Sequence, residues 1–539
     1  MEQFLRKYHK LFFLGLAAFL LYPAFQGGYI FLLDWTVTPN LSWADINFRL
    51  DSLTTIAARI FSLLFSFAVW QRIFLLGIIF FLGLGGFRLA QKTGNIYAQY
   101  FSGLFLIFNP FIYARLMEQP GIAAGSAAFF WFFIFLLEFL QERKGWKMIG
   151  TSVCAGLAVS FFPHSLFFIF LSTFLILGWD FFQNRDGKLI VKNIFFLIAA
   201  VLAMNANWIA SSFFNVGENR SRVVESFTLQ DVEAFATRAI GGHSVYATVL
   251  ALQGYWGEYQ DRFVSVQDNI LWSFAFVLIL GLSIFGAVKS WKKRLWAQPL
   301  AIMFLLAFVL AVGTASSFLK PIIWQLYQNI PLYMGLREPQ KWAAVLVFVY
   351  AYFGAWGIKH VLEMKSLKNY RNVIGISCAV LPIVFSFSII SGMHAHMTPH
   401  RFPAEWQEAK RYASETSEGK ILFFPWHSYL RLDFAGKNVV NPAKAYFGKN
   451  MIQGNNTEFG GVYSHSQDEE TLAVEKYALK KNASAKNISY ETFAADMRAR
   501  GISMVMLAKT EDWQDYLWLD TIEAEKVLEN DKLIIYKLQ

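Results

Sequence analysis

Three acids lead the residues able to do chemistry. Asp34 ends the segment GGYIFLLDWTVTPN and is the first acid after some thirty residues dominated by Phe, Leu and Ala; Asp45 and Asp51 follow in the same polar, aromatic stretch. An ionised carboxylate costs several kcal/mol within hydrocarbon, so Asp34 is expected where water or a polar partner reaches it. There it could take a proton from a hydroxyl and face a carbon gathering positive charge. The bland alternative is an end to the apolar segment, or a pair with Arg49. Two cation-bearing motifs accompany the acids. NPFIYARLMEQPG places Tyr113, Arg115, Glu118 and Gln119 together, and LREPQKW places Arg337, Glu338 and Lys341. Guanidinium matches phosphate bidentately, and paired cations near headgroups suit a lipid phosphate. Against that stand an Arg115–Glu118 pair three residues apart on a helix and an interfacial, snorkelling Arg337/Lys341.

Further candidates are weaker. His164 follows a proline between two apolar runs, as a ligand or a turn histidine. Trp256 and Glu258, with Tyr255 and Tyr259, form a patch able to stack on a sugar or to rest at an interface. Trp426, His427, Asn441, Asn455 and Asn456 offer a similar patch further on. Asn205 and Asn207 interrupt an apolar run and imply hydrogen bonds within a bundle. No P-loop, metal-ligand spacing, G-x-S-x-G or dinucleotide fingerprint is present, so neither a cofactor nor a metal is expected.

The elements that must position these groups are membrane spans. The chain has 539 residues, 55% hydrophobic and 16% charged, with mean hydropathy +0.37. Globular chains carry roughly a quarter charged residues, and a span needs about 20 apolar ones. Eleven spans are expected: Leu11–Leu33, Ile73–Phe87, Ile96–Phe111, Ile122–Leu140, Met148–Phe162, Leu166–Phe182, Ile194–Phe214, Ile270–Val288, Leu300–Ala315, Ala343–Gly357 and Val373–Ser391. Leu53–Trp70, interrupted by Arg59, suits an interfacial helix. The first run reads as an anchor, not a removed signal peptide. Arg6, Lys7 and Lys10 mark a cytoplasmic N-terminus, and every turn then expected inside is basic, from Arg88/Lys92 to Lys365/Lys368/Arg371. Much of the net charge of +10 is thus topogenic, which removes the case for nucleic acid. In this orientation Asp34, Asp45, Asp51, Arg115, Glu118, His164, Glu258, Arg337 and Glu338 share the external side. Cys154 and Cys378 lie in apolar runs with no partner spacing.

Two domains are expected, residues 1–393 in the membrane and 394–539 as an extracytoplasmic α/β domain. In the second, PAEWQEAKRYASE reads as a helix from Pro403, KILFFPW as a buried strand, and Glu469–Lys481 and Tyr490–Arg500 as helices. ISMVMLA and KLIIYKL complete the strands. A Gly- and Asn-rich loop from His427 to about Ser466 is longer than a connector requires.

This organisation resembles the GT-C glycosyltransferases, which use polyprenyl-phosphate sugars at the outer face of a membrane. NPFIYARL and LREPQKW look like motifs of the branch that contains the cell-wall arabinofuranosyltransferases. FPAEW, LFFPWHSYLRLDF, NPAKAYFG and GNNTEFGGVYS look like an external domain attached to such cores. The resemblance implies an integral protein of the inner or plasma membrane that moves a sugar, arabinofuranose by that likeness, from a polyprenyl-phosphate donor to an extracytoplasmic glycan, lipid or protein. It makes Asp34 the catalytic base of an inverting displacement, and Arg337, with Arg115 or Lys341, the holder of the donor phosphate. Many such enzymes carry closely spaced acids here; Asp34 stands alone, with Asp45 and Asp51 farther on, so all three stay candidates. A transporter or flippase of a lipid-linked glycan and a non-catalytic envelope-assembly protein are the competing readings. Paired halves with broken helices would favour transport, and none are seen.

Overall fold

A computed structural model of the chain describes residues 2–39, 53–214, 228–293, 295–330, 332–416, 419–448, 450–459, 462–464, 469–478, 490–510 and 512–539. Asp45 and Asp51 lie outside the described residues, as does Arg49. Ten of the expected spans fall on helices, whereas of Leu11–Leu33 only the part up to Leu20 continues helix Glu2–Leu20 and the chain beyond Phe25 is not helical; nor is every helix a sufficient span. Eight among the described residues are long and apolar enough to cross a membrane, and a ninth counts if the bent pair Lys365–Phe385 and Ser388–His396 is one crossing. The two that fall short have plain reasons. Gly145–Phe161 has only 17 residues, and Glu2–Leu20 opens with the charged EQFLRKYHK.

Burial sorts the helices into centre and rim. Ile96–Ile107 is buried along its whole length and Ala343–Leu362 along nearly all of it. The helices Ser165–Asn184 and Gly187–Phe214 instead present Phe170, Phe174, Phe182, Val191 and Phe195 outward. An outward face of that composition suits lipid and not water. The chain is an integral membrane protein. Small residues bring the central helices together, as expected where apolar burial gives no gain over lipid. A Cβ on Gly357 would meet the Leu282 carbonyl oxygen at 2.0 Å, and one on Gly86 the Ser102 oxygen at 2.2 Å. Asn205 makes the bonds expected of it, donating to the Gly156 and Val201 carbonyls and accepting from Ser160 and Trp208.

Beyond His396 the chain builds a three-layer α/β unit. Its strands are β1 (Lys420–Phe424), β2 (Tyr429–Leu432), β3 (Lys437–Val440), β4 (Met451–Ile452), β5 (Thr457–Phe459), β6 (Val462–Ser464), β7 (Ile502–Ala508), β8 (Ala524–Glu529) and β9 (Leu533–Leu538). Five form one sheet in the order β4-β1-β7-β9-β8, with β4, β1 and β7 parallel and the rest antiparallel. Alternate side chains feed opposite faces, the period of a pleated strand. Ile421, Phe423, Met504, Met506 and Ile535 pack with Trp406 and Ala409 of helix Ala404–Thr416. Leu422, Phe424, Val505, Leu507 and Ile534 pack with Val474 and Tyr477 of helix Glu469–Ala478, and with Phe493 and Met497 of helix Phe493–Ala499. The expected long loop after His427 contains two antiparallel pairs, β2–β3 and β5–β6, that the composition concealed.

Candidate active site

The segment carrying Asp34 is extended, not helical. After helix Glu2–Leu20 and the short turn Tyr22–Phe25, Gly28 adopts φ +126°, and a Cβ there would lie 2.7 Å from the His400 carbonyl oxygen. That close approach lets Tyr29 exchange backbone hydrogen bonds with His400, at 2.7 and 2.8 Å. Ile30 is gripped next by Gln71, which accepts from its N–H at 3.0 Å and donates to its carbonyl at 2.8 Å. The alternation of an extended chain then separates the side chains. Ile30 and Leu32 enter the membrane core, Phe31 packs among Phe402, Trp406 and Leu430 of the sheet domain, and Leu33 joins Ala114, Phe235, Tyr255 and Trp256. Three consecutive residues thus anchor in three cores, and Asp34 follows with its N–H donated to the Glu118 carbonyl at 3.0 Å.

Both oxygens of the Asp34 carboxylate are held. Oδ2 accepts from Gln119 Nε2 at 2.6 Å, and Oδ1 accepts from the Tyr429 hydroxyl at 2.8 Å. The residue is exposed, yet protein surrounds it closely enough that lost solvation raises its pKa against the lowering effect of those two bonds. The carboxylate thus keeps accessible surface while losing part of its solvation.

Behind Asp34 runs a chain of buried polar groups. Asn109 caps helix Pro110–Glu118 by accepting from Ile112 N–H at 2.9 Å, with Pro110 in the first turn where its missing N–H costs nothing. The helix ends at Gln119; Arg115 and Glu118 both lie within it but take different partners. Arg115 donates to Gln119 Oε1 and pairs with Glu338 at 3.1 Å; Glu118 pairs with Arg262 at 2.7 Å and lies 3.5 Å from His396. The expected Arg115–Glu118 pair therefore does not form. Lys341 Nζ lies 3.7 Å from Glu338 and 3.3 Å from the Gly335 carbonyl to which it donates. Glu338 is buried, but Lys341 and Arg115 outweigh that desolvation and hold its pKa down to about 2.

The three expected cations differ in access. Arg115 is wholly buried, its guanidinium over the Tyr255 ring, and Lys341 is buried beside Glu338. Arg337 is half-buried and lies over Phe235 at 4.2 Å, with no acid paired to it among the described residues. His164 sits where Gly335 leaves room, since a Cβ on Gly335 would meet its Nε2 at 1.5 Å; burial pushes its pKa down to about 3, so it is neutral. Trp256 and Tyr255 are buried and offer no open face for stacking, whereas Tyr259 is exposed. Glu258 accepts from the Gly254 N–H at 2.9 Å, and burial pushes its pKa up to about 8. In the sheet domain Trp426 is core, and His427 pairs with Asp512 at 2.6 Å. No group of three or more His, Cys, Asp or Glu gathers as a metal set among the described residues.

Tyr429, Arg262 and His396 complete this constellation, and none stood out in the sequence. Their partners are remote in the chain: Tyr429 is 395 positions from Asp34. For Tyr429 the signals were its place in LFFPWHSYLRLDF and the alternation of YLRL, with Leu430 and Leu432 inward.

No family model and no curated protein matches the chain. Solved structures do. It is similar to the arabinofuranosyltransferase AftD from Mycobacteria, with TM-score 0.63 and 12% identity over 98% of this chain and 40% of that one. It is also similar to ArnT from Cupriavidus metallidurans in the apo state, with TM-score 0.52 and 12% identity over 98% and 97% of the two chains. The chain thus spans about two-fifths of AftD and nearly all of ArnT. At this identity the likeness is one of fold: the protein has the GT-C fold, a helical membrane core followed by a sheet domain.

Proposed function

We propose that the protein is a GT-C membrane glycosyltransferase that moves a sugar from a polyprenyl-phosphate donor to a hydroxyl of an extracytoplasmic glycan, lipid or protein, with Asp34 as the general base. The observation that carries this is the Asp34 carboxylate, exposed and held through both oxygens beside a buried cationic network. The GT-C fold supports the reaction class. Residues 1–393 form the membrane domain in this reading and 394–539 the external one, with the N-terminus in the cytoplasm. Arabinofuranose is the favoured sugar, on the likeness to AftD.

The chemistry balances without a nucleotide. The acceptor O–H gives its proton to Asp34 as its oxygen forms a bond to the anomeric carbon. The bond from that carbon to the phosphate oxygen breaks, and polyprenyl phosphate leaves from the opposite face with inversion. Arg337, half-buried and without a paired acid among the described residues, takes the phosphate; Lys341 adds positive potential from below. Arg115 serves by orienting Gln119 and Glu338.

Deletion of the gene, followed by mass spectrometry of lipids and glycans, tests the class. One glycosidic linkage should vanish while its polyprenyl-phosphate sugar builds up. The wild-type gene should restore the linkage and Asp34→Asn should not, although its product is folded in the membrane. Full transfer by Asp34→Asn, with loss in Asp45→Asn or Asp51→Asn, would move the base and leave the class standing. An intact glycan and lipid profile in the deletion would reject the class itself.

A further inference from the structure

We propose that the sheet domain completes the membrane-borne site by supplying a positioning residue, Tyr429, whose hydroxyl fixes the Asp34 carboxylate for proton abstraction. This rests on the assignment of Asp34 as base. The β2–β3 hairpin is fastened to the membrane elements at several independent points. Val440 N–H donates to the Leu33 carbonyl at 2.7 Å, one residue before Asp34, and Lys437 Nζ donates to the His396 carbonyl at 2.7 Å. Arg262, paired with Glu118, donates to the Asn438 carbonyl at 3.2 Å. With Leu430 and Leu432 in the domain core, the alternation of β2 points Tyr429 the other way, at Asp34.

The geometry gives the phenol one task. An ionised carboxylate only accepts, with about four lone-pair sites. Gln119 occupies a site on Oδ2 and Tyr429 one on Oδ1, which stops rotation of the group and leaves a site on each oxygen for an incoming hydroxyl. Partial loss of solvation around the exposed ring, with the neighbouring Asp34 charge, raises the Tyr429 pKa, so its hydroxyl stays a donor. The other charges felt at Asp34 are Glu338, which raises its pKa, and Lys341, which lowers it. Tyr429 acts from outside the membrane motifs, so a core lacking the sheet domain would hold its base by Gln119 alone.

The test reads Asp34 directly and needs no identified acceptor. Full-length protein labelled with carboxyl-13C aspartate is titrated in nanodiscs, the Asp34 signal being the one lost in Asp34→Asn. Tyr429→Phe, which keeps the ring, should raise the Asp34 pKa by removing a bond that favours the charged form. Incorporation of 3-fluorotyrosine at position 429, a stronger donor of nearly the same shape, should lower it. Opposite signs from two near-isosteric changes are not produced by a merely structural role. In the deletion strain, Tyr429→Phe should form the linkage about tenfold more slowly, as for one lost bond to a charged group. An Asp34 titration indifferent to both changes, with Asp34→Asn inactive, would overturn the positioning role alone. Full transfer by Asp34→Asn would remove the base assignment on which it rests.

Discussion

Replacing Glu338 by glutamine removes one charge from the polar network and little of its volume. Glu338 is buried, 3.1 Å from Arg115 and 3.7 Å from Lys341, and Arg115 is itself wholly enclosed. Two routes give the magnitude. A fall of its pKa from 4.5 to about 2 corresponds to about 3 kcal/mol of preference for the charged form in the folded state. Removing one member of a buried ion pair costs about 3–5 kcal/mol, because the other charge is left uncompensated. Glu338→Gln should therefore be about 3 kcal/mol less stable at pH 7, measured by chemical unfolding in mixed micelles. The folded-state pKa lies below the unfolded one, so this stabilisation is complete above about 4.5 and fades as the pH falls toward 2. The gap between wild type and variant should close over that window. Equal stability at pH 7, or a gap that does not respond to acid, would refute the placement of Glu338 between two cations.

Two further outcomes follow from the anchoring of the loop and from the half-buried, poorly solvated acid near it. Phe31→Ala empties a site among Phe402, Trp406 and Phe434 and should cost about 3–5 kcal/mol, seen as easier proteolytic release of the sheet domain. Glu258 has its pKa raised by burial to about 8, so the wild type should lose stability as the pH climbs from 4.5 through 8. Glu258→Gln should lack that slope in unfolding measurements at pH 6 and pH 9, and a parallel slope in both proteins would contradict the burial of this acid.

The parts of the site legible in the sequence were those that membranes make conspicuous. A carboxylate closing an apolar run and cations beside prolines stand out because hydrocarbon tolerates neither without a partner. Partner choice was not legible. Arg115 and Glu118 have the spacing of a helical pair and share one helix, but each meets an opposite charge brought from a distant segment, Glu338 for Arg115 and Arg262 for Glu118. In the soluble part, the strands buried on both faces stand out, and β7 covers the same residues as the expected ISMVMLA. Edge strand β8 (AEKVLE) was missed because it carries mixed exposure and no apolar run. The β2–β3 hairpin was missed for a related reason: four-residue strands around DFAG give too short an alternation to stand out from a loop.

The bond between Tyr429 and Asp34 also sets an order of events in synthesis. Its two ends are 395 positions apart, so the acid emerges from the ribosome with its phenolic partner still to be made. With Asp34 as the proposed base and the sheet domain on the proposed external side, a nascent chain that has inserted all its helices would carry an incomplete base until its last part has crossed the bilayer and folded. In this scheme catalytic competence arrives late, and prematurely terminated copies in the same membrane hold a less well-armed carboxylate.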